Sequence, residues 1–310
     1  MNSPSAKDNL LFDTHAHADA FPLVEWRRVA ETAWQKGVRG NLNAGVWWDQ
    51  LRNLLANFSA WTVPLAKDAE SFDDLLFHSS HYLILPCLGL HPMEVALRWH
   101  DETGKFDLGR ARMDVENFKS EATSLRQWIW AVGETGFDCA KEVMAGWSSK
   151  EELLLAQQFA FDACIEVALE LKRPIVVHSR SAWQRSMQAI EVALSQGLAG
   201  FMIHCYGGPA GDLQWVARHG GFASFGGVPT WSASKKAKES LRSCPDSVLL
   251  LETDSPDLPP ELTCGGRPEW NEPQYLADIL EFSGILRHQP QEKLSKSNYL
   301  NFRRFLFGKN

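Results

Sequence analysis

Eight short apolar segments recur along the chain, and each runs into polar or glycine-rich residues. They are LLFDTHAH (10–17), VRGNLNAG (38–45), LILPCLGLHP (83–92), WIWAVGETGFD (128–138), RPIVVHSR (173–180), AGFMIHCYGG (199–208), GFASFGG (221–227) and SVLLLETDSP (247–256). The runs are near-continuous rather than alternating, which suits strands of a parallel sheet buried on both faces. Between them lie stretches with helical spacing. The clearest is 151–171, where Leu154, Leu155, Gln158, Phe159, Asp162 and Ala163 recur at intervals of three and four. Others are 182–194, 212–219, 232–241, 273–286 and 291–306. Eight strands with intervening helices predict a TIM-type (β/α)8 barrel. A doubly wound open sheet is the alternative. The later units are evenly spaced, with segments opening at 173, 199, 221 and 247. Units 46–82, 93–127 and 139–172 are longer and hold insertions or long helices. No linker, repeat or low-complexity stretch interrupts the pattern, so one domain is expected over 1–310, with a core of about 10–307.

Composition narrows the function classes. A chain of 310 residues can bury one large core without staples. Hydrophobic residues at 45% and charged residues at 22% argue against disorder. Lys and Arg number 31 against 38 Asp and Glu, a net charge of −7. That argues against a broad basic surface for duplex DNA, whose binding rests on phosphate neutralisation. It leaves room for a nucleic-acid enzyme that brings its own cations. The six cysteines (87, 139, 164, 205, 244, 264) are far apart, with no C-x-x-C pair. Such spacing reads as reduced thiols in a reducing, cytoplasmic compartment. The opening MNSPSAKDNLLFDTH shows no signal-peptide pattern. The longest apolar run, 82–90, has nine residues and includes Pro86, so no membrane span is expected.

The candidate metal ligands fall at the ends of these segments. His15 and His17 form an H-x-H pair, and strand periodicity puts both imidazoles on one side. Five further runs end in His91 (GLHP), Glu134 (GETG), His178 (HSR), His204 (HCYGG) and Asp254 (ETDSP). Taken singly, each has a plain structural role open to it. A strand-end histidine is ordinarily a hydrogen-bonded rim residue, Glu134 can cap the next helix, and Asp254 before Ser-Pro can form an Asx turn. Taken together they are a ligand set, because strand carboxyl ends converge on one face of a barrel. Four of these histidines (His15, His17, His178 and His204), with Glu134 and Asp254, suit two divalent ions, which bring +4 against −2 and make the site locally cationic.

The set DTHAHAD, GLHP, VGETGFD, PIVVHSR, HCYGG and LLLETDSP resembles the TatD family of metal-dependent deoxyribonucleases. RPEWNEP (267–273) and SNYLNFRRFLF (297–307) extend the match over about residues 11–307. The resemblance implies a TIM barrel of the metallo-dependent hydrolase superfamily. It implies hydrolysis of DNA phosphodiester bonds, as a 3′–5′ exonuclease on single strands, with two ions of magnesium, manganese or zinc. It further implies that His15 and His17 bind one ion, that Glu134 bridges both, and that His178 and His204 bind the second. Asp254 would bind the first ion and orient or deprotonate the attacking water. His91 would contact the phosphate or the leaving group. Arg180 and Asn271 match motif positions near the pocket and would bind substrate. Many enzymes of the wider superfamily that act on C–N or lactone bonds bridge their metals with a lysine on the fourth strand. Here that strand offers Glu134 and no lysine before Lys141, which favours the nuclease over an amidohydrolase or lactonase.

Some residues depart from the family pattern or lie outside it. Thr135 and Phe137 replace the usual aliphatic residues of GEIGLD, and Gly207 replaces the serine of HCFSG. These changes leave the proposed ligands intact and bear on substrate preference. Region 46–82 is long enough for a lid or a rim insertion. Trp47, Trp48, Trp231 and Trp270 follow strand ends, where they would stack exposed bases or simply pack loops. Lys235, Lys236 and Lys238 would meet a phosphate backbone or form a solvated helix face. Cys205 adjoins His204, but strand alternation turns its thiol away, as in a structural cysteine.

Overall fold

All eight apolar segments form strands in the computed structural model, which describes residues 10–262 and 265–308. These are β1 (Leu11–Ala16), β2 (Val38–Asn43), β3 (Leu83–Leu88), β4 (Ala131–Asp138), β5 (Ile175–Arg180), β6 (Phe201–Ile203), β7 (Phe222–Phe225) and β8 (Leu249–Leu251). Their order in one eight-stranded sheet is their order in sequence. The ladders β1–β2, β3–β4, β4–β5, β5–β6 and β7–β8 are parallel. The last strand returns to the first: Thr14 Oγ1 on β1 donates to the Leu251 carbonyl on β8 at 3.0 Å. Eight parallel strands in sequential order, closing on themselves and alternating with helices, make the expected TIM-type barrel. Nearly every residue of β1, β3, β4, β7 and β8 is buried, which is why their sequences read as unbroken apolar runs.

The helices are α1 (Leu23–Gln35), α2 (Gln50–Asn57), α3 (Ala69–His78), α4 (Pro92–Arg98), α5 (Leu108–Ser124), α6 (Lys150–Leu171), α7 (Trp183–Ser195), α8 (Leu213–Arg218), α9 (Lys235–Ser243), α10 (Leu276–Arg287) and α11 (Gln291–Phe307). Their starts are chemically marked. Ser149 caps α6 by accepting from the Glu152 amide at 3.2 Å, and Asp107 caps α5 through the Arg110 amide at 3.0 Å. At α4, His91 itself is the cap, accepting from the Met93 amide, with Pro92 in the first turn.

The chain divides into two compact units. One holds residues up to 43, 57–85 and 204 onward. Its core is aromatic: Phe12 of β1 stacks on Phe302 of α11 at 4.7 Å, and Phe72 of α3 meets both rings at 6.1 and 6.2 Å. Helix α3 therefore packs on the barrel wall, so this part of region 46–82 is neither lid nor rim insertion. The closing motif SNYLNFRRFLF is structural here. Asn298 donates to the Phe12 carbonyl at 3.0 Å and accepts from the Leu251 amide at 2.8 Å, so one side chain ties α11 to β1 and β8.

The second unit holds residues 44–56 and 86–203. Here Phe137 of β4 packs on Phe161 of α6 at 5.5 Å, which gives the non-family phenylalanine a core role. The long units 93–127 and 139–172 hold helices α4, α5 and α6. Glycines allow close strand approach near the functional residues. A Cβ on Gly136 would lie 2.0 Å from the His178 carbonyl oxygen, and φ there is +145°. A Cβ on Gly89 would lie 2.5 Å from the Glu134 amide nitrogen.

Candidate metal centre

Each unit carries one cluster of imidazoles and carboxylates. In the first unit, His15 lies on β1, His17 just after it, His204 just after β6 and Asp254 three residues beyond β8. Asp254 Oδ1 lies 3.4 Å from His15 Nε2 and 3.5 Å from His17 Nε2. The two histidines of the H-x-H pair thus converge on one carboxylate, as strand periodicity requires. The ring of His204 stacks on His15 with centroids 4.0 Å apart. Asp254 adopts φ of +62°, in the left-handed region that few non-glycine residues hold. Burial alone would raise the Asp254 carboxyl, but the His15 and His17 imidazoles reverse this and hold it well below the usual carboxylate range.

Two further acids of this cluster were not picked out from the sequence. Glu252 is fully buried, and its Oε1 accepts from the Cys205 amide at 2.6 Å. It lies with His15 and His204 in a group whose donor atoms are within 4.8 Å of one another. Asp13, also fully buried, accepts from Thr253 through its amide at 2.9 Å and its hydroxyl at 2.5 Å. Burial pushes its carboxyl up to about 7 despite these bonds. The signal for Glu252 was available, since it sits in the same ETDSP run as Asp254. Asp13 precedes the H-x-H pair, and only the fold shows that it grips the loop carrying Asp254.

In the second unit, Glu134 is central. It lies within β4 rather than at its end, as His178 lies within β5. Glu134 Oε1 accepts from His91 Nε2 at 3.0 Å and lies 2.7 Å from His178 Nδ1. The three form a group compatible with a metal ion. The tautomer of His91 follows from its other nitrogen. Nδ1 accepts the Met93 amide proton at 3.1 Å, so Nε2 carries the hydrogen. His178 is held from behind, because its Nε2 lies 3.0 Å from Asp138 Oδ2. Burial would raise Asp138, yet His178 and the Ala140 amide lower it below its ordinary value. Asp138 is anchored in turn. Its amide donates to Gln157 of α6 at 3.2 Å, and its carbonyl accepts from the same side chain at 3.0 Å. Asp138 and Gln157 also escaped sequence reasoning, because their roles depend on β4, β5 and α6 meeting.

The remaining candidates are placed differently. Arg180 is half exposed, 2.5 Å from Glu142 and 3.9 Å from Asp138. Asn271 is fully buried, and its Nδ2 donates to the carbonyls of Thr253, Asp257 and Leu258. Trp47 is buried against Trp99, and the Trp48 indole donates to Asp114. The Trp231 indole donates to the Pro259 carbonyl at 2.9 Å. These three pack loops, whereas Trp270 is 63% exposed. Lys235 and Lys236 are exposed at the start of α9. No disulfide joins the five described cysteines; Cys264 lies outside the described residues. Among the described residues no helix is long and apolar enough to cross a membrane.

The donor set suits divalent metals: imidazoles and carboxylates, buried or half-buried and held by hydrogen bonds and ion pairs. The model of the TatD-related DNase family matches residues 12–307. The chain belongs to this family. It is a metal-dependent hydrolase of TatD type. Its relatives include the uncharacterized metal-dependent hydrolase YabD of Bacillus subtilis, 26% identical over 297 residues, covering 95% of this chain and 98% of that protein. The 3′-5′ ssDNA/RNA exonuclease TatD of Escherichia coli K12 is 33% identical over 158 residues, or 49% of this chain and 56% of that protein. The crystal structure of YJJV, a TatD homologue from Escherichia coli K12, superposes with a TM-score of 0.72 at 21% identity, covering 97% of this chain and 98% of the other.

Proposed function

We propose that this TatD-family hydrolase is a 3′–5′ exonuclease on single-stranded DNA that works with two divalent ions. The observation that carries the reading is the pairing of imidazoles with buried acids in both units: His15 and His17 on Asp254, and His91 and His178 on Glu134. By the family resemblance, one ion would be held by His15, His17 and Asp254, and the other by His178 and His204. The bridging role of Glu134 comes with the family resemblance. Magnesium, manganese or zinc bound there supplies Lewis-acid stabilisation of the phosphate charge and acidifies a water. The Escherichia coli relative, a 3′-5′ ssDNA/RNA exonuclease by name, supports the substrate and the direction of attack.

The protein groups divide the proton work. Asp254, kept ionised by its imidazole neighbours, orients the attacking water and accepts its proton. His91 carries a hydrogen on Nε2 and offers it as a hydrogen bond to the charge that develops on the departing oxygen. Asp138 keeps the hydrogen of His178 on Nε2, leaving Nδ1 as the coordinating atom. β4 carries no lysine, so the ligand set lacks the bridge common in C–N and lactone hydrolases.

The test is cleavage of a 5′-labelled single-stranded oligonucleotide, first in EDTA and then with each metal restored. The expected result is a metal-dependent ladder that shortens from the 3′ end. Absence of cleavage by protein shown to hold two ions would overturn the reading.

A further inference from the structure

All thirteen tryptophans lie among the described residues, and twelve are buried or half-buried. Trp270 alone is exposed, at 63%. It does not ride on a loose loop. Its neighbour Asn271 is fully buried and bonds three carbonyls of the 253–258 segment, at 2.6, 2.8 and 3.3 Å. The Asn271 amide also donates to the Pro256 carbonyl at 2.9 Å. The backbone beside this large exposed indole is thus anchored to the 253–258 segment, which carries Asp254. Three residues before it, the Arg267 guanidinium lies over the Trp231 ring, 4.1 Å from its centroid. The stack presents a planar fork of donors suited to phosphate.

We propose that Trp270, with Arg267 stacked on Trp231 three residues earlier in the chain, is a base-stacking platform for an unpaired nucleotide of the substrate strand. The proposal rests on the single-strand nuclease reading above. Its chemistry is chosen by charge. The protein is acidic overall, Glu269 is exposed beside Trp270, and Glu272 is already paired with Arg28 at 2.7 Å. Attraction of the backbone alone is therefore weak here, whereas stacking needs no net charge and tolerates every base. A ring whose neighbouring backbone is already anchored loses less freedom when a base covers it. A duplex offers no free base face, so the platform selects single strands.

The test is equilibrium binding of a labelled phosphorothioate thymidine dodecamer to the manganese-loaded protein, compared with the same strand carrying abasic spacers. Trp270→Ala should weaken binding of the thymidine strand about five- to a hundredfold. Trp270→Phe should restore most of the loss, and neither change should alter binding of the abasic strand. An unchanged affinity for the thymidine strand, or an equal loss on both strands, would overturn the platform. So would a wild-type protein that binds no strand at all. Wild-type protein that binds through Trp270 but leaves unmodified DNA intact would instead sink the nuclease reading. Thermal melting of both variants should match wild type, since the ring is exposed.

Discussion

Asp138 and His178 meet at 3.0 Å through Oδ2 and Nε2, while the opposite nitrogen of the same ring faces Glu134 at 2.7 Å. One imidazole is thus fixed by a buried acid and aimed by it. Asp138→Asn keeps the shape and removes the charge that holds the Nε2 hydrogen. Metal affinity should fall about 10- to 100-fold. Competition with a chromogenic chelator measures this without reference to turnover. An unchanged affinity would mean that Asp138 serves folding alone.

His91 and the departing oxygen give a second prediction. A hydrogen-bond donor to the departing oxygen matters most where that oxygen develops a large charge. His91→Gln should slow DNA hydrolysis about 10²- to 10³-fold. It should barely affect an activated p-nitrophenyl phosphodiester, whose leaving anion is stable. Equal losses on both substrates would assign His91 to metal or phosphate binding instead.

Gly136 sits against the His178 carbonyl with φ of +145°. Gly136→Ala adds a Cβ 2.0 Å from that oxygen, in a backbone region closed to L side chains. The strain alone is worth about 1–3 kcal/mol, before the overlap is counted. Urea denaturation should show a loss of at least that size or no folded protein. Loss of metal binding should accompany it, because β4 and β5 would have to separate.

Asp246 is gripped by Arg287 at 2.5 Å and Lys293 at 2.8 Å. Burial would raise its carboxyl, but Lys293, Gln289 and Arg287 lower it from 3.8 to about 2. A depressed folded value means the stabilisation is present above about pH 4 and is lost as pH falls through about 2. Asp246→Asn should cost about 1 kcal/mol at pH 7, after allowance for solvent screening. Denaturation curves of the two proteins should converge at pH 2. A gap that persists there would trace to packing rather than charge.

Much of this was legible before any fold was in view. The eight apolar runs read as strands because both faces of each are covered, so no polar alternation breaks them. The six proposed ligands stood out because histidines and acids are costly inside such runs unless they have partners. Helices α1 to α5 were less legible. Segment 46–82 looked like an insertion because α2 and α3 are short, and Phe72 reveals its place only against Phe12 and Phe302.

The sequence by itself determined the strand count, the barrel, the family and the proposed ligand set, since each rests on local period or on ordered motifs. Only the tertiary structure decided which groups stand behind those ligands. Asp13 holds Thr253 across 240 positions, and Asp138 is locked by Gln157 from another element. It also separated the one exposed tryptophan from those that pack loops. Local pattern records what a residue is and which face it takes. Partners distant in the chain are set by how strands and helices meet, and no local period carries that information.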